Sequence, residues 1–258
     1  MCIVIIKPSD KKMPKRKVLK NCWDNNPDGA GFMFLNKDKK VIISKGYMVF
    51  EDLISGIESY KLDKTACIVF HFRIATAGSI KPANCHPFPN SNKVEDLQAL
   101  SAVSDYGIAH NGILDYPDDE MNDMSDTMTF IRDILHSEVI LNNLKSPAIT
   151  SLLQTHIKRS KFAIMGSAGV VMLGAFLKVG DLYYSNTGYK KETGYSWWIK
   201  QYNWDNEAID KNYYEDMTEG NITQYYYCQR CDVLITDESL YYKHCYNCGE
   251  PIVDMADN

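Results

Sequence analysis

Cys2 is the residue with the most direct chemical potential, because a cysteine at position two becomes the first residue once the initiator methionine is removed. Removal is normal when residue two is small, and it would leave Cys2 with a free α-amine. An α-amine has an unperturbed pKa near ~7.7–8.0, so part of it is an unprotonated base at neutral pH. One residue would then supply both a nucleophilic thiol and a proton acceptor. The alternative is that Cys2 is a small apolar strand residue, since buried cysteine is common.

Four cysteines near the C-terminal end form a second chemical pattern. Two Cys-x-x-Cys pairs are separated by thirteen residues, and their members are Cys228, Cys231, Cys245 and Cys248. Two such pairs at this spacing are typical of a tetrahedral thiolate cage for structural zinc, similar to a zinc ribbon or a rubredoxin-like knuckle. Two disulfides, a redox site and an iron site are the alternatives. Zinc is the cofactor that we predict.

Five segments, the first of which contains Cys2, together resemble one known family. In chain order they are Met1-Cys2-Ile3-Val4, Asn26-Pro27-Asp28-Gly29-Ala30-Gly31, the stretch 71–78 with Asn84-Cys85-His86-Pro87-Phe88, His110-Asn111-Gly112-Ile113, and Ser125-Asp126-Thr127. In this order and spacing they resemble the class II glutamine amidotransferases of the Ntn-hydrolase superfamily. The resemblance covers residues 1 to about 135 and reaches about residue 200 through the segment 184–189.

The resemblance implies three catalytic residues. The Cys2 thiolate would attack the side-chain amide of glutamine, release ammonia and leave a glutamyl thioester that water hydrolyses. The side-chain N–H of Asn111 and the backbone N–H of Gly112 would stabilise the oxygen of the tetrahedral intermediate. This half-reaction needs no metal or organic cofactor. For the dipeptide alone, Asn-Gly is equally typical of a hairpin turn.

Four residues are implied in substrate binding. Arg73 would hold the α-carboxylate of glutamine with its planar fork, and Asp126 would receive the α-ammonium. Thr76 and His86 match positions that shape the glutamine pocket. The alternatives are an internal salt bridge for Arg73, a carboxylate in the first turn of a helix for Asp126, and a structural hydrogen bond for His86.

Composition limits the class of protein. The chain has 258 residues, of which 45% are hydrophobic, enough for one large core or for one domain with an appendage. The longest uncharged apolar stretch, 162–177, is shorter than the ~20 residues that span a bilayer. The apolar stretch 2–6 is too short for a signal peptide. We therefore expect a soluble, cytoplasmic protein with no membrane partner and with reduced thiols.

The charge is unevenly distributed along the chain. The net charge is −5, but residues 201–258 contain three basic and twelve acidic residues, a net of −9. The first 200 residues therefore carry a net charge of +4. Any attraction to nucleic acid would fall on this mildly basic body. The acidic, aromatic stretch suits packing on the body or contact with a protein partner.

Hydrophobic periodicity and turn residues predict the elements that position these side chains. Strands are predicted at 2–6, 31–35, 41–44, 66–72, 107–110, 161–165, 170–176 and 182–185, and helices at 18–23, 51–60, after Ser125 and from Ser146. Many strands with hairpin-type links indicate an α+β domain with largely antiparallel sheets. The family resemblance implies, more narrowly, a four-layer αββα Ntn-hydrolase sandwich. We predict a glutaminase domain at 2–200, an aromatic and acidic linker at 201–224, and a zinc module at 225–258.

The predicted function is a glutaminase that supplies ammonia to a synthase. The sequence has no pattern of an ATP-grasp, P-loop or sugar-isomerase domain, so the ammonia acceptor would belong to another chain. Two alternatives are a stand-alone hydrolase of γ-glutamyl amides and a binding protein with an inactive amidotransferase core. The presence of Cys2, Arg73, Asn111, Gly112 and Asp126 together argues against the inactive core.

Overall fold

The structure is a computed structural model, and it describes residues 2–75 and 79–191 together with the backbone of short strands at 222–224, 226–227 and 234–235. The strands are β1 Ile3–Lys7, β2 Ala30–Leu35, β3 Val41–Tyr47, β4 Ile68–Phe72, β5 Phe88–Pro89, β6 Ser101–Ser104, β7 Gly107–Asn111, β8 Lys161–Gly166, β9 Gly169–Leu173, β10 Leu177–Val179, β11 Leu182–Tyr184, β12 Ile222–Gln224, β13 Tyr226–Tyr227 and β14 Leu234–Ile235. The α-helices are α1 Arg16–Asn25, α2 Phe50–Ser59, α3 Val94–Gln98, α4 Asp126–Phe130, α5 Glu138–Asn142 and α6 Pro147–Ile157.

Two sheets form the body of the molecule. The first has seven strands in the order β10-β11-β1-β4-β2-β3-β6, and all its neighbours are antiparallel. The second has five strands in the order β12-β9-β8-β7-β5, antiparallel except that β12 runs parallel to β9. Strands β13 and β14 form a separate antiparallel pair. The predicted α+β class with antiparallel sheets is confirmed.

Alternation of side chains along β1 shows how the layers are organised. Ile3 and Ile5 face a core that contains the buried residues of α1 and α2. Val4 and Ile6 face the opposite way, into a second core that also contains apolar side chains of β7, β8 and β9. Because successive strand residues point to opposite faces, a strand buried on both sides must be apolar throughout. Strand β1 therefore lies between a helical layer and the second sheet.

A third core covers the outer face of the second sheet. Ile108, Phe162 and Ile164 of that sheet pack there with Met128 of α4 and Leu153 of α6. The described layers are thus helices, seven-stranded sheet, five-stranded sheet and helices. The layer order places the ends of β1 and β7 in adjacent sheets, where these two strands contact each other.

Most predicted elements are found within a few residues of their expected ends. The helix after Ser125 is among them, and it continues as a π-helix over Ile131–Leu135. Two details were wrong. The strand predicted at 170–176 ends at Leu173, and a separate strand begins at Leu177. Helical spacing also predicts Leu152 on the apolar face of α6 with Ile149, Leu153 and Ile157, but Leu152 is 57% exposed. The short elements β5, β6, α3 and α5 had no clear periodicity from which to predict them.

No helix in the described part of the chain is both long enough and apolar enough to cross a membrane.

Candidate active site

Cys2 lies immediately before β1, against the peptide that follows β4. The Cys2 Sγ accepts a hydrogen bond from Ile74 N and donates to Ile74 O, both at 3.4 Å. The Cys2 carbonyl accepts from Asn186 Nδ2 at 2.8 Å. Burial raises the pKa of the Cys2 thiol, and the Ile74 hydrogen bond, the charge of the amino terminus and Arg73 only partly oppose it. The resting thiol is therefore neutral at pH 7, and it needs a base to become a nucleophile.

Arg73 follows β4 directly and lies beside Cys2 because β1 and β4 pair, with Ile3 opposite Phe72. Its backbone is fixed on both sides, since Arg73 N donates to Gly29 O at 2.8 Å and Asp28 N donates to Arg73 O at 3.0 Å. The guanidinium Nη1 donates to Ser79 O at 3.1 Å. The side chain is 5% exposed. Antiparallel pairing thus brings a cation to the N-terminal end of β1.

Asn111 and Gly112 lie at the end of β7. Asn111 is 3% exposed, its Nδ2 is 2.9 Å from Ser185 Oγ, and its Oδ1 has no hydrogen-bond partner within the described ranges. Gly112 has φ of 146°, and a Cβ at this position would lie 2.3 Å from Ser160 Oγ. Only glycine fits both constraints. The hairpin alternative is excluded, because β7 pairs with β8 from Lys161, far along the chain.

Ser185 connects Asn111 to β1, and the sequence analysis did not single it out. Val4 N donates to Ser185 Oγ at 2.8 Å, and Ser185 N donates to Val4 O at 3.0 Å. The hydroxyl therefore bridges the β1 backbone and the Asn111 amide. Its neighbour Asn186 holds the Cys2 carbonyl. Inclusion of 184–189 in the family resemblance was the signal that could have identified both residues.

His86 is the middle ring of a buried histidine stack. Its ring centroid lies 4.3 Å from that of His71 and 6.1 Å from that of His110. His86 Nδ1 accepts from His110 N at 3.1 Å, and His71 Nε2 lies 3.0 Å from His110 O. Burial lowers the pKa of His71 and of His110 to about 3 and lowers that of His86 well below its usual value. These contacts match the alternative of a structural hydrogen bond for His86, whose neutral ring holds β7 in place.

Asp126 is half-buried in the first turn of α4, and backbone donors occupy both of its oxygens. Its Oδ2 accepts from Leu114 N at 2.8 Å, and its Oδ1 accepts from Thr127 N at 2.6 Å. Ser125 Oγ caps the same helix by accepting from Met128 N at 3.4 Å, as expected. Asp126 therefore has the contacts of a carboxylate in the first turn of a helix, the alternative to substrate binding. It also holds the segment after Gly112 against α4.

Asp123 is a second carboxylate near Arg73, and the sequence analysis missed it. It accepts from Ser79 Oγ at 2.9 Å and from Lys81, and Ser79 O in turn accepts from Arg73. Those two hydrogen bonds lower the pKa of Asp123. A lone Asp in a polar loop gave no signal for this contact, which depends on tertiary structure.

The structure brings the ends of β1, β4 and β7 together, and with them Cys2, Arg73 and the Asn111-Gly112 pair. Thr76 lies outside the described residues. So do the four cysteines predicted to bind zinc, Cys228, Cys231, Cys245 and Cys248. Within the described ranges no group of three or more His, Cys, Asp or Glu side chains is placed to hold a metal ion.

Comparison with known proteins gave matches among solved structures alone. No family model matches the chain, and no curated protein matches it. Among solved structures, it is similar to glutamine phosphoribosylpyrophosphate amidotransferase from B. subtilis, solved in complex with ADP and GMP. The identity is 16%, the TM-score is 0.41, and the match covers 71% of this chain and 41% of that one. The chain thus spans less than half the length of that enzyme.

Proposed function

We propose that this chain is a glutamine amidotransferase that hydrolyses glutamine through a Cys2 thioester, in an Ntn-hydrolase fold. The observation that carries the proposal is the convergence of a thiol, a guanidinium and a buried amide where β1 begins and where β4 and β7 end. The Cys2 Sγ lies 3.4 Å from the Ile74 peptide, directly after Arg73. Ser185 links the Asn111 amide to Val4, two residues beyond Cys2. A nucleophile and an oxyanion donor are what covalent hydrolysis of an amide requires, and a guanidinium suits the α-carboxylate of a glutamine substrate.

The base in this proposal is the α-amine that Cys2 gains when Met1 is removed. Burial raises the pKa of the Cys2 thiol, so proton removal has to accompany attack. The amine takes the thiol proton as sulfur bonds to the amide carbon, and the C=O electron pair moves to oxygen. The oxygen electron pair then re-forms the C=O bond and the C–N bond breaks, while the protonated amine passes its proton to the amide nitrogen, which leaves as ammonia. Water cleaves the thioester, so that glutamine and water give glutamate and ammonia.

The amide oxygen would receive two hydrogen bonds. Gly112 presents its N–H from a backbone conformation that only glycine adopts there, and Asn111 provides the second N–H from its side chain. Fixed donors in a buried site stabilise a developing oxyanion without reorganising. The three neighbouring histidines are neutral and add no competing charge at pH 7.

Arg73 would bind the α-carboxylate of glutamine, and Asp126 with Thr76 would complete the pocket. A buried guanidinium suits a carboxylate because two parallel N–H groups match its two oxygens. Both Asp126 oxygens already accept backbone N–H groups, so an ammonium would bind as an additional donor to a carboxylate held in place. His86 would support this pocket through β7 rather than touch the substrate.

The ammonia acceptor in this proposal is a synthase on another chain. The acidic C-terminal stretch favours a basic protein surface as the docking partner, because phosphates of nucleic acid would be repelled. Nucleic acid would bind only through the mildly basic body. Rising salt should weaken a docking contact of this kind through screening.

Structural zinc held by the four C-terminal cysteines completes the proposal. The first pair, Cys228 and Cys231, falls in the sequence between the paired strands β13 and β14. A Cys-x-x-Cys pair between two antiparallel strands is typical of a zinc knuckle. We expect one zinc per chain by metal analysis, and Cys228→Ser should release it. Because the Cys2 chemistry uses no ligand from this module, glutamine hydrolysis should continue at a similar rate, whereas disulfides in place of metal would contradict the proposal.

Mass spectrometry of the intact protein with a glutamine analogue tests the main proposal. Met1 should be absent, and 6-diazo-5-oxonorleucine should add once, at Cys2. Cys22→Ala is the matched control, because burial raises the pKa of that thiol to about 12 and labelling should not depend on it. Retained Met1 in active protein, or labelling that survives Cys2→Ala, would rule out the N-terminal mechanism.

A further inference from the structure

Ser185 is held by all of its polar groups. Its N–H donates to Val4 O at 3.0 Å, and its carbonyl accepts from Lys161 Nζ. Its Oγ lies 2.8 Å from Val4 N and 2.9 Å from the Asn111 amide, and the residue is fully buried. The hydroxyl oxygen therefore has one position, between a backbone donor and the predicted oxyanion donor.

Counting protons at this hydroxyl fixes the orientation of the Asn111 amide. A backbone N–H only donates, so Ser185 Oγ must accept from Val4 and still needs an acceptor for its own hydrogen. Within the described ranges, Asn111 is the other side chain in hydrogen-bond contact with that hydroxyl. With the amide oxygen towards Ser185, the hydroxyl donates to it. With the nitrogen towards Ser185, the hydroxyl hydrogen and Oδ1 both stay buried and unpaired, which is the more costly arrangement.

The two ends of a side-chain amide have the same shape, so a hydrogen-bond network decides which end is nitrogen. If the oxygen faces Ser185, the Nδ2 group occupies the buried position that has no partner in the described structure. An unpaired donor is what an oxyanion site offers before the oxyanion forms. The opposite orientation would point a carbonyl oxygen at a developing negative charge and repel it.

We infer that Ser185 is the positioning residue of the oxyanion site, donating to Asn111 Oδ1 so that Asn111 Nδ2 is presented to the intermediate. This inference rests on the proposed glutamine hydrolysis. It assigns no contact with substrate to Ser185 itself. It predicts that the Ser185 hydroxyl matters only in steps that build charge on the amide oxygen.

Ser185→Ala in the full chain tests the inference. It frees the amide to rotate, and kcat for glutamine should fall by about 10²-fold, near the loss caused by Asn111→Ala. The double variant should be no slower than Asn111→Ala alone, because both changes remove one function. Ser185→Thr keeps the hydroxyl and should recover most of the rate. Ser44→Ala is the control, since it removes another buried hydroxyl, 2.6 Å from Tyr47 Oη, without affecting kcat.

Alkylation of Cys2 by iodoacetamide separates positioning from general damage. That reaction displaces iodide at a saturated carbon and builds no oxyanion, so its rate should stay within about twofold in Ser185→Ala. If alkylation slows as much as hydrolysis, Ser185 supports the fold around Cys2 and the inference is wrong. The inference is also wrong if Ser185→Ala leaves kcat unchanged. It is wrong, too, if the fold-losses in kcat of Ser185→Ala and Asn111→Ala multiply in the double variant.

A measurement on the wild-type protein does not depend on any variant folding. With the oxygen towards Ser185, the Asn111 side-chain NH₂ protons lie away from the Ser185 β-protons, and the cross-relaxation between them should be weak. Strong cross-relaxation would overturn the inference while leaving glutamine hydrolysis intact. A wild-type chain that does not hydrolyse glutamine would instead overturn the proposed function, and this inference with it.

Discussion

Two regions of the site are built in opposite ways. The sheet end, comprising Cys2, Asn111, Gly112, Ser185 and Asn186, is buried or half-buried and carries no charged side chain. Most contacts of its members are with backbone groups or neutral side chains, as in the Asn186 contact with the Cys2 carbonyl at 2.8 Å, although Lys161 also donates to the Ser185 carbonyl. The acidic rim, which we define as Asp118, Asp119, Asp123, Asp126 and Arg132, lies on loops, helix ends and the π-helix and is partly or fully exposed.

The difference indicates that the two regions contribute to different properties of the protein. At the sheet end, hydrogen bonds are shielded from water, and a displaced group has no solvent to replace its partner. On the rim, Arg132 Nη1 and Asp119 Oδ2 pair at 2.6 Å with both side chains partly solvated, so each contact contributes less. We therefore expect substitutions at the sheet end to affect the chemical step and substitutions on the rim to affect binding or stability slightly.

Cys2→Ser should produce the largest effect, because the alcohol is far less nucleophilic at neutral pH. We expect kcat for glutamine to fall on the order of 10³-fold or more. An ammonia-release assay measures the rate, and circular dichroism confirms the fold. A Cys2→Ser protein with near-normal turnover would remove the distinction between the two regions.

Arg73→Lys tests the residue that joins the two regions, since Arg73 follows β4 and contacts Ser79, which in turn donates to Asp123. An ammonium cannot reproduce two parallel hydrogen bonds to a carboxylate, so KM should rise by about 10- to 100-fold. Steady-state kinetics separate KM from kcat. If kcat falls and KM does not change, Arg73 belongs functionally to the sheet end.

Acid should destabilise the protein through His71 and His110, which lie next to the sheet end. The folded pKa of His71 and of His110 is about 3, below the unfolded value of about 6.5, so the unfolded state binds more protons between these values. The stability should therefore fall as the pH drops through that window, by about 1.4 kcal/mol per pH unit for each histidine. Urea unfolding from pH 7 to pH 4 measures this slope.

His110→Gln is the companion variant for the acid prediction. The substitution removes one titrating group, so the slope should decrease by the contribution of one histidine. A slope that does not change in His110→Gln would show that His110 is not kept neutral in the folded protein.

Asp123→Asn should have the smallest effect. Its ion pair with Lys81 is 39% exposed on the Asp123 side, and such pairs contribute roughly 0.2–1 kcal/mol. Ser79 Oγ keeps an acceptor in the variant, so kcat should change little. Thermal unfolding and ammonia release check both expectations. A large fall in kcat would show that Asp123 takes part in catalysis and that the acidic rim is not functionally distinct from the sheet end.

The sequence allowed prediction of much of the sheet end but little of what supports it. Strands such as β1 and β7 are apolar runs bounded by polar residues, and their ends carry Cys2 and Asn111. The pattern of apolar residues along the sequence reveals such runs. The bridge through Ser185 joins residues 181 positions apart, and hydrophobic periodicity does not reveal it, although the family resemblance includes the segment 184–189. Long-range hydrogen bonds depend on strand order, which local pattern does not specify.

His86 and Asp126 show the same limit for individual roles. Their motifs indicated polar residues near the site, but both have contacts that the motif alone leaves open. His86 accepts from a backbone N–H of β7, and Asp126 fixes the segment after Gly112. Each contact requires a neighbour brought close by the packing of the sheets and α4. The roles of Thr76 and of the four C-terminal cysteines remain predictions.

The burial of Cys2 has a consequence for its chemical lifetime. Oxidation of cysteine proceeds through the thiolate and follows its exposure. Burial raises the pKa of all four cysteines in the described ranges, to about 12 for Cys22 and Cys67. The resting Cys2 is thus mostly thiol and half-shielded, so peroxide should convert it to sulfenic acid slowly. If Cys2 is the nucleophile of the proposed glutamine hydrolysis, the protein should keep it in the active, reduced form between turnovers.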